Sequence, residues 1–231
     1  MIKSLLLDLD DTLLSFKADE HKALTKSLLH FGIEPSEEVI ALYSGINLSL
    51  WQALERGELE REEVLVRRFR LLGESCGLSL DAVAMRVYYE LRLSEEHTLY
   101  EGALPTLDYL KDRYRLYIVS NGTALVQNRR LDESGLRGYF DGIFISEELG
   151  VNKPHPEFFD KVFELTGGAR DEAIVVGDSL TSDILGGINA GVLTCHVTGG
   201  REFSYEKIKP DYTIKDISEL PALLDGINGG V

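Results

Sequence analysis

The chain has 231 residues and carries 39 acidic against 24 basic side chains, a net charge of −15. Such an acidic surface repels phosphate backbones and anionic lipids, which argues against binding to nucleic-acid polymers or membranes. The two cysteines, Cys76 and Cys195, have no metal-ligand spacing, and no apolar run reaches the about 20 residues of a membrane span. Asp8 and Asp10 interrupt the run Leu5–Leu7, so no signal peptide is expected there. These features predict a cytoplasmic protein.

Short apolar runs that end in polar residues predict the strands of a parallel sheet. The run Ile2–Leu7 is almost continuous and ends in carboxylates, as expected for a strand that is buried on both faces. Similar runs predict strands at Leu116–Val119, Ala173–Val176 and Val192–Val197, and a weaker run predicts one at Gly142–Ile145.

Helical patterns alternate with these strands, at Ala103–Lys111, Ala124–Ser134, Pro156–Thr166 and Thr181–Ala190. Alternation of strand, polar turn and helix is typical of an α/β fold. The prediction is a Rossmann-like, doubly wound parallel sheet. In such sheets ligands bind outside the carboxyl ends of the strands, which is where the polar clusters of this chain fall.

The segment 16–98 breaks the alternation, because it has helical periodicity without a convincing strand. Its helical stretches are Lys17–Phe31, Ser36–Glu55, Arg61–Cys76 and Leu80–Leu93. About 80 residues are too many for a loop, so we expect an inserted helical cap domain. The catalytic core would comprise 1–15 and 99–231, with the cap acting as a lid over the strand ends. The glycine-rich tail 226–231 is expected to fray.

Three carboxylates and a threonine follow the first strand, in the sequence Asp8-Leu9-Asp10-Asp11-Thr12. Carboxylates at the edge of an apolar run are costly unless a cation or a function compensates them. One of them can serve as nucleophile or metal ligand, and the acid two positions later as general acid and base. A solvated turn with a helix-capping aspartate remains the alternative.

Two further clusters suit an anion. The turn Ser120-Asn121-Gly122-Thr123 places a hydroxyl, an amide and backbone N–H groups at the start of a helix. Lys153 precedes Pro154 just before another helix, where it can hold a fixed positive charge. Each cluster has an ordinary alternative, a plain helix cap for the turn and an exposed surface side chain for the lysine.

The fourth cluster is Gly177-Asp178-Ser179-Leu180-Thr181-Ser182-Asp183, in which Asp178 follows a strand and Asp183 lies in the next helix. Both carboxylates can face one crevice and suit Mg²⁺, although a capped helix with acidic residues is the alternative. Taken together, the clusters bring excess carboxylate, a lysine and an anion site to one end of the sheet. A phosphoryl group with Mg²⁺ satisfies all of them.

The four clusters, in this order and spacing, resemble the motifs of the haloacid dehalogenase-like (HAD) hydrolase superfamily, and the helical insertion resembles its cap. The resemblance implies that Asp8 is the nucleophile that forms an aspartyl phosphate. It implies that Asp10 protonates the leaving oxygen and then activates water, and that Lys153 balances the intermediate. The metal set would be Asp8, Asp10 through its backbone carbonyl, Asp178 and, in support, Asp183, with Mg²⁺ as the cofactor.

The expected phosphate-binding residues are Thr12, Ser120, Asn121 and Lys153. Phe16 lies at the first hinge of the expected cap and is our candidate for contact with the substrate. Other aromatic side chains of the cap region could stack on a base, but most of them are expected in the core, namely Tyr43, Trp51, Tyr88, Tyr89 and Tyr100. The basic cluster Arg67, Arg68 and Arg70 is expected to form a solvated helix face.

Two stretches are similar to the pyrimidine 5′-nucleotidase group within this superfamily, Ser146–Pro154 and Gly177–Ile184 with the following Gly186–Gly191. That group dephosphorylates nucleoside monophosphates such as UMP, dUMP and dTMP. The resemblance implies a small phosphorylated metabolite as substrate, with no polymer or membrane partner. We expect a monomer or a homodimer.

Other activities on the same fold stay open. A phosphoglycolate or sugar-phosphate phosphatase, or a mutase of the β-phosphoglucomutase kind, would use the same residues around the reacting phosphate. A non-catalytic binding module is a different class, but it predicts loss of at least one of Asp8, Asp10, Lys153 and Asp178, and all four are present. A dehalogenase is disfavoured because that branch, which this chain resembles, lacks an acid at the position of Asp10.

Overall fold

The computed structural model describes residues 1–229, and its centre is a six-stranded parallel sheet. The strands are β1 (Ser4–Leu7), β2 (Arg115–Ser120), β3 (Gly142–Ile145), β4 (Ala173–Gly177), β5 (Leu193–Val197) and β6 (Tyr212–Ile214). They lie in the order β3-β2-β1-β4-β5-β6, so the chain first winds one way from β1 and then the other. This is the doubly wound order, and the predicted fold class is confirmed.

Strand β1 lies between β2 and β4 and is buried along its whole length. Leu7, its last residue, pairs in register with Ile118 of β2 and Val176 of β4. All three side chains are fully buried, which explains the near-continuous apolar runs of these strands. The residue after β1 is therefore Asp8, at the carboxyl edge of the sheet where the winding reverses.

The described chain divides into two compact units. The first comprises residues 1–16 and the described residues from 98 onward, and it contains the sheet. Its helices are α5 (Ala103–Leu110), α6 (Ala124–Glu133), α7 (Ser146–Leu149), α8 (Pro156–Thr166), α9 (Leu185–Ala190) and α10 (Leu220–Gly229). Two apolar clusters cover the faces of the sheet, one around Leu5 and Leu7 and the other around Leu6.

The second unit spans 17–97 and is helical. Its helices are α1, which begins at the end of the first unit (Phe16–His30), α2 (Glu37–Glu55), α3 (Arg61–Cys76) and α4 (Ala82–Leu93). Ser36 caps α2 by accepting from the N–H of Val39, and Asp81 caps α4 in the same way. Tyr43 and Tyr89 are fully buried in this unit, as expected of core aromatics, whereas Tyr100 is exposed and lies in the first unit, so that expectation is wrong for Tyr100.

The prediction that the arginines of α3 form a solvated face is wrong for Arg68. That side chain is 3% exposed, and its guanidinium donates to the backbone oxygen of Leu65 and to Oδ1 of Asn47. It also lies over the rings of Phe69 and Tyr89. A planar cation can be buried where aromatic faces and acceptors surround it. The sequence shows only a group of neighbouring arginines, so the burial of this one could not be predicted from it.

Several short elements were not predicted. Strand β6 has three residues and helix α7 has four, and both are too short for a periodic signal. The tail expected to fray continues α10 as far as Gly229, while residues 230 and 231 lie outside the described residues. Among the helices of residues 1–229, none combines the length and hydropathy needed to cross a bilayer.

Candidate active site

Lys153 connects the first and last acidic clusters at the carboxyl edge of the sheet. Its ammonium donates to Oδ1 of Asp8 at 2.8 Å and to Oδ1 of Asp183 at 2.6 Å, and it also reaches the backbone oxygen of Val119. The side chain is 1% exposed. Burial alone would lower the pKa of Lys153, but Asp183 and Asp8 outweigh it and raise that pKa. The lysine is therefore a fixed buried cation.

Asp8, Asp178 and Asp183 form a carboxylate cluster whose ligand oxygens lie within 4.8 Å of one another. Burial raises the pKa of Asp8 well above its ordinary value, Lys153 opposes the rise, and the neighbouring carboxylates add to it. Three carboxylates with one ammonium leave excess negative charge in a poorly solvated place. Hard, closely spaced oxygen donors of this kind fit Mg²⁺, which removes that excess.

The pKa of Asp178 predicts how stability depends on pH. Burial, Asp183 and Asp11 raise it to about 8, against the opposing effect of Arg201. Folding thus favours the protonated carboxyl group, whose contribution to stability is complete below its ordinary pKa and is lost as pH rises through about 8. In EDTA, we expect the thermal midpoint to fall between about pH 6 and about pH 9.

Asp178→Asn should remove a large part of that fall, whereas Asp171→Asn, at an exposed position, should keep it. Mg²⁺ bound to Asp178 would displace the proton, so added Mg²⁺ should stabilise the wild-type protein more at the alkaline end. Differential scanning fluorimetry across the pH series measures all three. A wild-type midpoint that falls no more than that of Asp178→Asn would contradict the assignment.

The segment after β4 turns tightly to bring Asp183 back beside Asp8. The backbone N–H groups of Asp183 and Ile184 both donate to the oxygen of Ser179, which widens the first turn at Leu180–Ile184 into a π-helical turn. Oδ2 of Asp183 accepts from the N–H of Ser179 at 3.0 Å. A Cβ atom at Gly177 would lie 2.2 Å from that oxygen, so only glycine fits there.

Asn121 holds the backbone of Lys153 from both sides. Its Nδ2 donates to the backbone oxygen of Lys153 at 2.8 Å, and its Oδ1 accepts from the N–H of Lys153 at 2.9 Å. Nδ2 also reaches Oγ of Ser182. These contacts make Asn121 a residue that places the lysine, while its phosphate-binding role stays a prediction.

Ser120 lies at the end of β2 and is buried. Its Oγ accepts from the N–H of Gly122 at 3.1 Å and from Nε2 of Gln127 at 2.8 Å. Because two donors occupy the lone pairs of this oxygen, the hydroxyl proton is left to donate, which suits an anion. The N–H of Ala124, by contrast, donates to the carboxylate of Glu147, so the first N–H of α6 is already engaged.

The side chain of Asp10 is not one of the three clustered carboxylates and is directed to α6. Its Oδ1 accepts from Nη1 of Arg130 and its Oδ2 from Nε2 of Gln127. The predicted metal role of Asp10 rests on its backbone carbonyl alone. Thr12 is 1% exposed, and its Oγ1 has no hydrogen-bond partner among the described residues, while Phe16 is half-buried at the start of α1.

Several residues that contact this site were given no role from the sequence. Gln127 and Arg130 hold Asp10, Ser182 contacts Asn121, and Nε2 of His196 lies 2.9 Å from the backbone oxygen of Asp178. Gln127 and Arg130 are one turn apart on a helix that begins at a predicted site loop, and that spacing was the one available signal.

The family model of haloacid dehalogenase-like hydrolases matches residues 2–191. The magnesium-bound structure of the HAD-hydrolase YfnB from Bacillus subtilis, which reveals interdomain movement, is 37% identical. It superposes with a TM-score of 0.93, covering 97% of this chain and 99% of that one.

Two relatives are named pyrimidine 5′-nucleotidases. PynA of Streptococcus pneumoniae is 35% identical, over 96% of this chain and 95% of the relative. YjjG of Escherichia coli is 33% identical, over 94% and 95%. The prediction of an enzyme, a phosphatase of the family that the motifs resemble, is confirmed by the family match and these relatives. The chain belongs to the haloacid dehalogenase-like hydrolases.

Proposed function

We propose that this protein is a Mg²⁺-dependent phosphomonoesterase that acts through an aspartyl phosphate at Asp8. The observation that carries the proposal is the buried ammonium of Lys153 between Asp8 and Asp183, beside the carboxylate of Asp178. We propose a nucleoside 5′-monophosphate, with a pyrimidine base, as the preferred substrate. The two relatives named pyrimidine 5′-nucleotidases support this choice.

In the first step, a carboxylate oxygen of Asp8 attacks the phosphorus atom. The bond between phosphorus and the ester oxygen breaks, and Asp10 gives its proton to the departing oxygen. Lys153 donates to Asp8 and lies where it balances charge on the phosphorylated carboxyl group. The product alcohol, a nucleoside for the proposed substrate, then leaves.

In the second step, Asp10 takes a proton from a water molecule, and that water attacks the phosphorus of the aspartyl phosphate. Inorganic phosphate leaves and the carboxylate of Asp8 is restored, while Asp10 is protonated again for the next substrate. The side chain of Asp10 is 27% exposed, against 10% for Asp8, so the acid and base borders solvent while the nucleophile is enclosed.

Asp8, Asp178 and the backbone carbonyl of Asp10 would hold Mg²⁺, with Asp183 in support. When bound, the ion supplies electrostatic stabilisation of the transferring phosphoryl group. We assign phosphate binding to Thr12, to the hydroxyl of Ser120 and to Lys153 and Asn121. Thr12 is supported by its buried hydroxyl, which has no hydrogen-bond partner among residues 1–229.

We propose that residues 16–98 act as a cap that selects the leaving group, with Phe16 as a substrate contact, and that residues 1–15 and 99–231 form the catalytic core. Closure of such a cap would exclude bulk water from the aspartyl phosphate. A small enclosed site favours metabolites over polymers, in keeping with the net charge of −15. We further propose a cytoplasmic monomer or homodimer.

Phosphate release from a metabolite panel tests this function, with Mg²⁺ or with EDTA. The panel comprises UMP, dUMP, dTMP, AMP, phosphoglycolate, glucose phosphates and p-nitrophenyl phosphate. We expect Mg²⁺-dependent hydrolysis with the highest kcat/KM for the pyrimidine nucleotides. Preference for phosphoglycolate or a sugar phosphate would overturn the proposed substrate class but would agree with the proposed phosphatase reaction. No hydrolysis in the presence of Mg²⁺ would overturn the proposed phosphatase activity. It would favour a sugar-phosphate mutase or a non-catalytic binding module.

A further inference from the structure

Both oxygens of the Asp10 carboxylate are held by one helix. Nη1 of Arg130 donates to Oδ1 at 2.5 Å, and Nε2 of Gln127 donates to Oδ2 at 2.7 Å. Gln127 and Arg130 are three residues apart on α6, so their side chains leave the same face of the helix. A carboxylate held at both oxygens has one orientation, since rotation about its terminal bond would break both hydrogen bonds.

The guanidinium of Arg130 is out of contact with solvent. The residue is 0% exposed and Gln127 is 1% exposed, although the carboxylate that they hold is 27% exposed. Arginine is almost never fully buried without a partner, because its desolvation is costly. An arginine used only to neutralise a surface carboxylate would not need this burial. A buried and immobile donor is what orientation of a carboxylate requires.

The amide of Gln127 is itself fixed by three contacts. Its Oε1 accepts from Nη1 of Arg130 at 2.9 Å, and its Nε2 donates to Asp10 and, at 2.8 Å, to Oγ of Ser120. A Cβ atom at position 122 would lie 2.6 Å from this side chain, so Gly122 leaves the space that Gln127 fills. The same glutamine therefore links Asp10 to Ser120, which we assign to phosphate binding.

We propose that Arg130 and Gln127 are positioning residues that aim the carboxyl group of Asp10 at the leaving oxygen. This inference rests on the proposed function. Neither residue touches the reacting atoms, and each acts through Asp10. Their loss should therefore impair proton donation most where the leaving group is most basic. Nucleotides release an alkoxide oxygen that needs the proton, whereas p-nitrophenyl phosphate releases a stable phenolate that does not.

The test compares kcat/KM for UMP, or for the alkyl phosphate that the panel selects, with kcat/KM for p-nitrophenyl phosphate. This parameter reports only the steps up to formation of the aspartyl phosphate, so it isolates proton donation from the later attack of water. For Arg130→Met we expect a loss of about a hundredfold on UMP and of less than about tenfold on p-nitrophenyl phosphate. Arg130→Lys, which keeps one donor, should recover part of the loss on UMP alone.

Arg129→Met is the matched control, since Arg129 precedes Arg130 on α6 and pairs with Glu133 on the exposed side. We expect it to leave both substrates unchanged. If Arg130→Met fails to fold, Gln127→Met and Arg130→Lys carry the test, because each keeps a side chain of similar length in the buried space. Their thermal midpoints and Mg²⁺ affinities should stay near those of the wild-type protein.

Equal losses on the two substrates in these variants would mean a purely structural role and would overturn the inference. So would an unchanged ratio between the substrates in a fully active variant. Both outcomes require a wild-type protein that hydrolyses the two substrates. A wild-type protein that hydrolyses neither would instead overturn the proposed function, and the inference with it.

Discussion

Asp8→Asn is expected to lower kcat by about a thousandfold or more, because an amide cannot form the aspartyl phosphate. The side chains have the same shape, and Asp8 is 7% exposed at the end of the central strand. The substitution also removes one negative charge from a crowded acidic cluster, so the thermal midpoint in EDTA should rise or hold. Steady-state kinetics on the preferred substrate, together with scanning fluorimetry, measure the two effects.

Asp11→Asn makes the same chemical change three residues along the chain. Asp11 has a φ of 52°, a left-handed conformation that asparagine also accepts, and its Oδ1 accepts from the hydroxyl of Tyr100. We expect its kcat to stay within about tenfold of the wild-type value, since it leaves nucleophile, acid and lysine in place. An Asp8→Asn protein as active as this control would refute the assignment of Asp8 as the nucleophile.

Lys153→Met is expected to cost about 3–5 kcal/mol of unfolding free energy in EDTA. The substitution leaves Asp8 and Asp183 buried without their ammonium partner, which is the costly half of breaking a buried ion pair. Turnover should be lost as well. Saturating Mg²⁺ should restore part of the unfolding free energy, because a cation then compensates the same carboxylates. Urea unfolding with EDTA and with Mg²⁺ measures this difference.

The control is Lys161→Met, which removes an exposed ammonium from α8 that donates to the backbone oxygen of Leu149. Its unfolding free energy should change by less than about 1 kcal/mol in either solution. If Lys153→Met were as stable in EDTA as this control, the charge balance described for the site would be wrong.

The core of the fold could be predicted because its strands are buried on both faces. Strands β1, β2 and β4 are short runs of apolar residues, and Leu7, Ile118 and Val176 lie side by side in register. Runs of this kind have no other common explanation when they alternate with helices. Strand β6 was not predicted, because a three-residue edge strand buries too few side chains to produce a recognisable apolar run.

The helix expected at Thr181–Ala190 shows a different limit. Its existence followed from periodicity, but its first turn is π-helical from Leu180 to Ile184, and α9 begins only at Leu185. Periodicity averages over several residues and cannot resolve a single widened turn. That turn directs Asp183 back to Lys153. The hydrophobic periodicity therefore could not predict the feature that places this carboxylate.

The residues that carry the proposed chemistry were found from the sequence, but Arg130 and Gln127, which hold Asp10, were not. Asp8 stands out because a carboxylate at the end of an apolar strand is unusual, and Lys153 because it precedes Pro154 directly before a helix. Arg130 does not stand out, because it follows Arg129 on a helix and arginines are mostly exposed. Its burial against Asp10 depends on a contact across 120 positions, which no local pattern contains.

The most direct test of this account is capture of the aspartyl phosphate itself. Asp10→Asn should still react with p-nitrophenyl phosphate, whose leaving group needs no proton, but should fail to activate the water that completes turnover. The phosphorylated protein should then accumulate, and borohydride reduces an aspartyl phosphate to homoserine. We expect peptide mass spectrometry to find homoserine at position 8, only with substrate and Mg²⁺ present. A burst of p-nitrophenol that leaves Asp8 unmodified would contradict the central claim.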